Sequence, residues 1–299
     1  MKMYDQRRIL QSEAAQLLIL QGVFSLKESN AVIFQGGTAI RWFYGGMRFS
    51  EDLDFVTAFS REQVKSLLKA MTEPLRRQFA VHFGPGEFLI KVRKTPATSF
   101  RTFIDYISPS GRKHASVKIE FEKLKAGSQP DMKRAIMQST PSISTFLTEG
   151  ILKIPGFTSI IQVETPEEML SDKLRALLER PYTKGRDFFD VWFLINTLRV
   201  KPDAAMLKRK LDMYEAPFSI SVPMSFYTEQ STHSQEQKSR LVHEIDADLN
   251  RFINPDTLKV FKANAFGELI DSVRGAFRKI EEANVIDFDS YPLKLSRKP

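Results

Sequence analysis

Residues 34–55, FQGGTAIRWFYGGMRFSEDLDF, decide how the rest of the chain reads. A short apolar run, Ala31–Phe34, leads into Gly36-Gly37-Thr38. The run predicts a buried strand, the glycines a tight turn, and Thr38 a cap for a short helix over 39–44. Gly45-Gly46 breaks that helix, and Leu53, Phe55 and Val56 predict the next strand. On a strand, residues two apart face one side, so Asp52 and Asp54 converge while Leu53 enters the core. Two carboxylates that close repel each other, and an apolar strand is a poor place to leave them unpaired. A hard divalent cation, Mg²⁺ or Mn²⁺, relieves the repulsion; such ions take one or two carboxylates with water and substrate phosphate. Glycine backbone approaches phosphate closely, and amides at a helix start offer it donors and a positive dipole end. Either motif alone is weak, since Asp pairs are common on surfaces and Gly-Gly-Thr can be a plain turn. Their occurrence one short helix apart points to metal-dependent phosphate chemistry.

Working outward, 5–28 carry apolar residues in helical rhythm, and 61–79 predict a charged amphipathic helix. Strands follow at 88–92, 100–107 and 115–124, divided by Gly84-Pro85-Gly86, Thr95-Pro96 and Pro109-Ser110-Gly111. Within the last, Val117, Ile119 and Phe121 face one way and Lys118, Glu120 and Glu122 the other. Glu120 is therefore the candidate for a further carboxylate on a neighbouring strand, completing a two-metal arrangement for in-line nucleotidyl or phosphoryl displacement. The Ser/Thr/Pro-rich stretch 127–158, which contains Ile151 to Ile154, reads as a poor helix and a connector. Thr165-Pro166-Glu167-Glu168 then opens a helix with a cap, a first-turn proline and two acids at the positive end. Further helices are expected at 187–198 and 264–283. The order gives an α+β class: a mixed strand-and-helix region over 1–160, then an all-helical domain over 161–299.

Composition narrows the partners. The chain has 299 residues, 42% hydrophobic and 27% charged, a balance ordinary for a soluble globular protein. No apolar run reaches the roughly 18 residues a membrane span needs. The absence of cysteine excludes disulfides, thiolate metal sites and cysteine nucleophiles, and fits a reducing cytoplasm. The N-terminus is charged and lacks a signal-like apolar segment. A net charge of +8 suits a polyanionic partner, because Lys and Arg on phosphates release condensed counter-ions. Lys208-Arg209-Lys210, 274–279 and Arg297-Lys298 are candidate groove-lining segments, although each also reads as an ordinary solvated face. His82, His114, His233 and His243 lack metal-ligand spacing, and Ser50 has no spaced His partner for a triad. Trp42 and Trp192 sit among apolar neighbours and read as core.

Gly-Gly-Thr, a short helix and then Arg48-x-Ser50-x-Asp52-Leu53-Asp54-Phe55 resemble the nucleotidyltransferase superfamily, and within it the AbiEii-like toxins of type IV toxin–antitoxin systems. Lys118-Ile119-Glu120 stands where that family has a K-L-D-like motif, with Glu in place of the usual Asp. Glu168 and Lys173 match its E-x4-K element, and Arg186-Asp187-Phe188-Phe189-Asp190 its R-D-x-x-D element. The motifs occur in family order over roughly 30–195. The resemblance implies a nucleotidyltransferase-like mixed sheet with flanking helices, and a helical C-terminal domain lining the active-site cleft. It implies NMP transfer from an NTP to RNA, in particular to the 3′ end of tRNA, with a cognate antitoxin as partner. Asp52, Asp54 and Glu120 would hold the metal. Gly36, Gly37, Thr38, Arg48, Lys118, Lys173, Arg186 and Asp187 would contact the NTP, and Asp190 would orient Lys173, Arg186 or a nucleophile. Arg48 is equally placed in sequence to pair with Glu51. Two alternatives remain open: transfer of NMP or phosphate to a protein hydroxyl, and nucleotide or RNA binding without turnover.

Overall fold

The computed structural model describes residues 4–153, 156–229 and 233–294, which fall into two compact units, Asp5–Glu164 and the chain from Thr165 onward. Ile154 and the basic pair Arg297-Lys298 lie outside the described residues.

The first unit begins with helix α1 (Gln6–Phe24), whose start is capped by the Asp5 carboxylate accepting from the Arg8 amide at 3.2 Å. Strand β1 (Val32–Gln35) runs directly into helix α2 (Gly36–Phe43), followed by β2 (Asp52–Thr57). Helix α3 (Arg61–Phe83) opens on a reciprocal Ser60/Gln63 capping box. Strands β3 (Glu87–Arg93), β4 (Ser99–Ile107) and β5 (Lys113–Lys123) follow, then β6 (Met132–Ile136), helix α4 (Pro141–Thr148) and β7 (Ile160–Glu164). These seven strands join one mixed sheet, ordered β3-β4-β5-β2-β1-β7-β6. The β2–β5 and β1–β7 pairs are parallel and the others antiparallel. Phe34, Phe55 and Phe121 come from the three strands β1, β2 and β5; ring centroids lie 5.3 Å apart for Phe34–Phe55 and 5.1 Å for Phe55–Phe121. All three are buried, each contributing about 1.5–3 kcal/mol of burial. The centre of the sheet is thereby packed at the strands that carry the acidic residues.

The stretch 127–158 is not a mere connector. It supplies β6 and α4, and the sheet continues through β7, which periodicity left unassigned. Neither short strand alternates polar and apolar residues; their pairing, Met132↔Glu164 through Ile136↔Ile160, makes them strands. Helix α4 does carry a start signal, Thr140 before Pro141 at its first turn.

The second unit is helical: α5 (Pro166–Glu179), α6 (Gly185–Trp192), α7 (Ala204–Asp212), α8 (Ser225–Thr228), α9 (Gln235–Leu249), α10 (Pro255–Ala263) and α11 (Gly267–Ala283). The Thr165 hydroxyl caps α5, accepting from the Glu168 amide at 3.4 Å. Helix α6 begins two residues earlier than its rhythm predicts and passes into a wider π-type turn over Phe193–Thr197. Helix α11 begins at Gly267 rather than 264, because Ala265 and Phe266 take left-handed φ values of 52° and 61°.

Candidate active site

Strand register builds the acidic cluster. Across the sheet, Gln35 on β1 faces Asp54 on β2, Asp54 faces Glu120 on β5, and Glu120 faces Arg101 on β4. One step along, Asp52 faces Lys118. Alternation therefore puts Asp52, Asp54, Lys118, Glu120 and Arg101 on one sheet face, all half-buried, while Leu53, Phe55, Ile119 and Phe121 go to the core.

The charges interlock. Lys118 Nζ lies 2.8 Å from Asp52 Oδ2 and 3.1 Å from Glu120 Oε2, and Arg101 Nη2 donates to Glu120 Oε1 at 2.6 Å. Burial disfavours the Lys118 ammonium, yet the fields of Asp52, Asp54 and Glu120 outweigh it and raise its pKa. Burial likewise works against the Glu120 carboxylate, but hydrogen bonds and charge from Arg101 and Lys118 prevail and hold it below the usual glutamate range. The Arg101 pKa is raised, first by its hydrogen bond to Glu120 and, against some burial, by the fields of Glu120, Asp52 and Asp54.

The glycine turn abuts this cluster. Gly36 has φ +81°, and a Cβ there would fall 2.7 Å from Asp54 Oδ2. That position favours glycine on both counts, and its lack of a side chain brings the start of α2 against Asp54. A Cβ on Gly37 would fall 2.2 Å from Arg48 Nη2, so any larger residue would displace the buried guanidinium. The first-turn amides of helix α2, like those of any helix, have no carbonyl within the helix, and the Gln35 side chain does not cap them.

Several expected contacts are arranged differently. Thr38 does not cap α2; it is the helix's third residue, fully buried, and its hydroxyl donates to the Asp52 carbonyl. It fixes β2 against α2 instead of presenting oxygen to a ligand. Arg48 is also buried, its Nη1 donating to the Phe49 carbonyl at 3.0 Å, while Glu51 takes an ion pair from Arg8 at 3.0 Å. Asp52, Asp54 and Glu120 share a face without gathering round one point: among the described residues no group of three carboxylates or histidines is set to hold a metal.

In the helical unit, Lys173 Nζ lies 2.8 Å from Asp190 Oδ2 and 3.2 Å from Asp187 Oδ1, and Arg180 also pairs with Asp187. Burial would raise the Asp187 pKa, but Arg180, Lys173 and Lys184 hold it well below the usual aspartate range. Burial, then the charges of Arg180, Arg186 and Lys173, press Lys184 down to about 8, against the pull of Asp187. Arg186, expected to contact phosphate, is engaged by Asp248 at 3.3 Å and stacks over Phe252 at 4.0 Å. Glu168 is buried against Arg209 and Lys210, the latter 3.1 Å away. Lys210 is thus core and not groove lining.

Arg101 and Arg180 are the participants that motif reading missed. Arg101 becomes visible only once β4 is registered against β5. Arg180 lies just before the R-D-x-x-D element, in a loop whose pairing the spacing does not reveal.

A sequence profile described as the nucleotidyl transferase AbiEii toxin of type IV toxin–antitoxin systems matches residues 18–291. No curated protein matches. Two crystal structures of Helicobacter pylori chains share the fold. One, provisionally classed as a nucleotidyltransferase, has TM-score 0.53 at 15% identity, covering 94% of this chain and 100% of its own. The other, JHP933, has TM-score 0.53 at 16% identity, covering 94% of this chain and 96% of its own. With its sheet, its D-x-D strand and its glycine turn in place, the chain belongs to the AbiEii nucleotidyltransferase family of type IV toxins.

Proposed function

We propose that this toxin transfers an NMP from an NTP to RNA, at the 3′ acceptor end of tRNA, with a divalent metal ion. The observation that carries the reading is the placement of half-buried Asp52 and Asp54 on one face of β2, with the Asp54 carboxylate against Gly36 at the start of α2. The donor set fits a hard cation in one particular mode. Two carboxylate groups on one strand, beside amides suited to phosphate, match an ion held by Asp52, Asp54 and substrate oxygen. A third ligand from Glu120 does not fit while Arg101 and Lys118 occupy it. Such an ion, when bound, supplies Lewis-acid polarisation of the phosphoryl group for in-line displacement.

The chain's own residues do the rest. First-turn amides of α2 hold polyphosphate oxygen, and Thr38 keeps β2 in position beneath them. Glu120, held ionised by Arg101 and Lys118, accepts the hydrogen bond of the attacking hydroxyl on a lone pair those two cations leave open, and orients it. In the helical unit, Lys173, held by Asp190, serves as a phosphate-binding cation. The RNA acceptor is supported by the +8 net charge, and membership of a toxin family supports an antitoxin partner. None of the described helices is long and apolar enough to cross a membrane.

The test is incubation of the purified chain with each labelled NTP in turn, offered total tRNA or cell protein, with Mg²⁺, Mn²⁺ or chelator. Label is expected on tRNA, at its 3′ end, and absent with chelator. Label on protein would move the reading to a protein hydroxyl, and tight NTP binding without product would make the chain a sensor. Asp54→Ala is expected to retain the far-UV spectrum and lower transfer by about 10²-fold or more, the order of several kcal/mol of lost charge stabilisation. Undiminished transfer by a folded Asp54→Ala protein would remove the metal assignment.

A further inference from the structure

A cation already stands among the carboxylates. Lys118 Nζ bridges Asp52 at 2.8 Å and Glu120 at 3.1 Å, and its side chain is only 25% exposed. Arg101 reaches Glu120 alone among these distances, at 2.6 Å, and is 42% exposed. The parallel register explains the arrangement: β2 and β5 set a base opposite the first aspartate, Asp52, and an acid opposite the second, Asp54. Three carboxylates thus meet two cations on one face, and the ammonium sits between the two outer acids of the set.

We propose that Lys118 is the resident counter-ion of the site, a substrate-binding residue that exchanges partners when substrate loads. The inference rests on the nucleotidyl-transfer reading and adds an order of binding to it. A dication arriving alone must take Asp52 from Lys118, so the largely buried ammonium loses its 2.8 Å pair, keeps only Glu120 at 3.1 Å and gains a cation beside it, which is costly. A dication arriving with polyphosphate brings anionic oxygens that pair with the displaced ammonium. Metal and nucleotide therefore bind with positive coupling, and by linkage each strengthens the other by the same factor. No covalent bond changes in the exchange: Asp52 passes from ammonium to metal, and Lys118 from carboxylate to phosphate. Arg101, hydrogen-bonded to Glu120 and more exposed, stays where it is.

The experiment measures Mn²⁺ binding to the full chain by electron paramagnetic resonance, with and without a non-hydrolysable α,β-methylene NTP analogue. Wild type should bind Mn²⁺ weakly alone and roughly 5- to 150-fold more tightly with the analogue, the usual span of such couplings. Lys118→Met should bind Mn²⁺ alone about tenfold more tightly than wild type, and the coupling factor should fall by about the same tenfold, leaving the share that metal–phosphate contact supplies. Arg101→Met should keep most of the coupling. A purely structural salt bridge would change thermal stability in Lys118→Met and leave the coupling factor at its wild-type value; that result overturns the proposal. So does a wild-type Mn²⁺ affinity indifferent to the analogue, which decides the matter even if Lys118→Met does not fold. Absence of Mn²⁺ binding under both conditions is a different result, and it overturns the metal reading on which the proposal stands.

Discussion

Thr38 shows how one hydroxyl can serve a site it never touches. It is fully buried, and its bond to the Asp52 carbonyl ties the first residue of β2 to the first turn of α2. Thr38→Val keeps the shape and removes the donor, a loss of about 0.5–1.5 kcal/mol for the hydrogen bond. The expected outcome is a lower denaturation midpoint in urea and weaker Mn²⁺ binding, both restored in Thr38→Ser; equal midpoints for Val and Thr would show that the bond contributes nothing. At this scale the sequence was legible wherever a residue's role follows from period two on its own strand. Asp52, Asp54 and Glu120 were found that way, and the structure places them on one face. The direction of Thr38 and Arg48 was not legible, because a side chain turned inward or outward at a helix start has the same one-dimensional pattern. Arg101 was hidden for another reason: β4 reaches β5 by a pairing that no local rule sets.

Among the elements, α5 and α6 are joined by ion pairs more than by their caps. Asp187 on α6 is buried and held ionised by Lys173 of α5 and by Arg180, with Lys184 adding its field. Its folded pKa lies below its unfolded one, so the stabilisation is fully present above the ordinary aspartate value of 3.8 and is lost as pH falls below it. Thermal melts between pH 6 and pH 3 should therefore show an acid limb that is shallower in Asp187→Asn than in wild type. Parallel curves would mean that other carboxylates carry the acid response. The long periodic elements α3, β5, α5 and α11 were readable from sequence because each buries one face, and α1 because its apolar residues run on through a middle buried on all sides. The elements β6, α4 and β7 were obscured, since their residues become strand or helix through partners elsewhere in the chain, and the Ser/Thr/Pro content of 127–158 resembles a linker.

For the molecule as a whole, the change from strand-and-helix to all-helix was visible in the order of patterns, and the first compact unit closes at Glu164. A cut at 160 would pass through β7, whose place in the sheet lies between β1 and β6. That position has a practical meaning for anyone expressing half of this protein. A fragment ending at 158 loses the strand that bonds β1 on one side and β6 on the other, so it bares the backbone of β1 next to the acidic strand and strands β6 apart from its sheet. It should emerge from gel filtration as soluble aggregate, whereas a fragment carried through Glu164 retains every ladder and should run as a discrete species. The few residues of β7 thus decide whether the N-terminal half can be handled by itself.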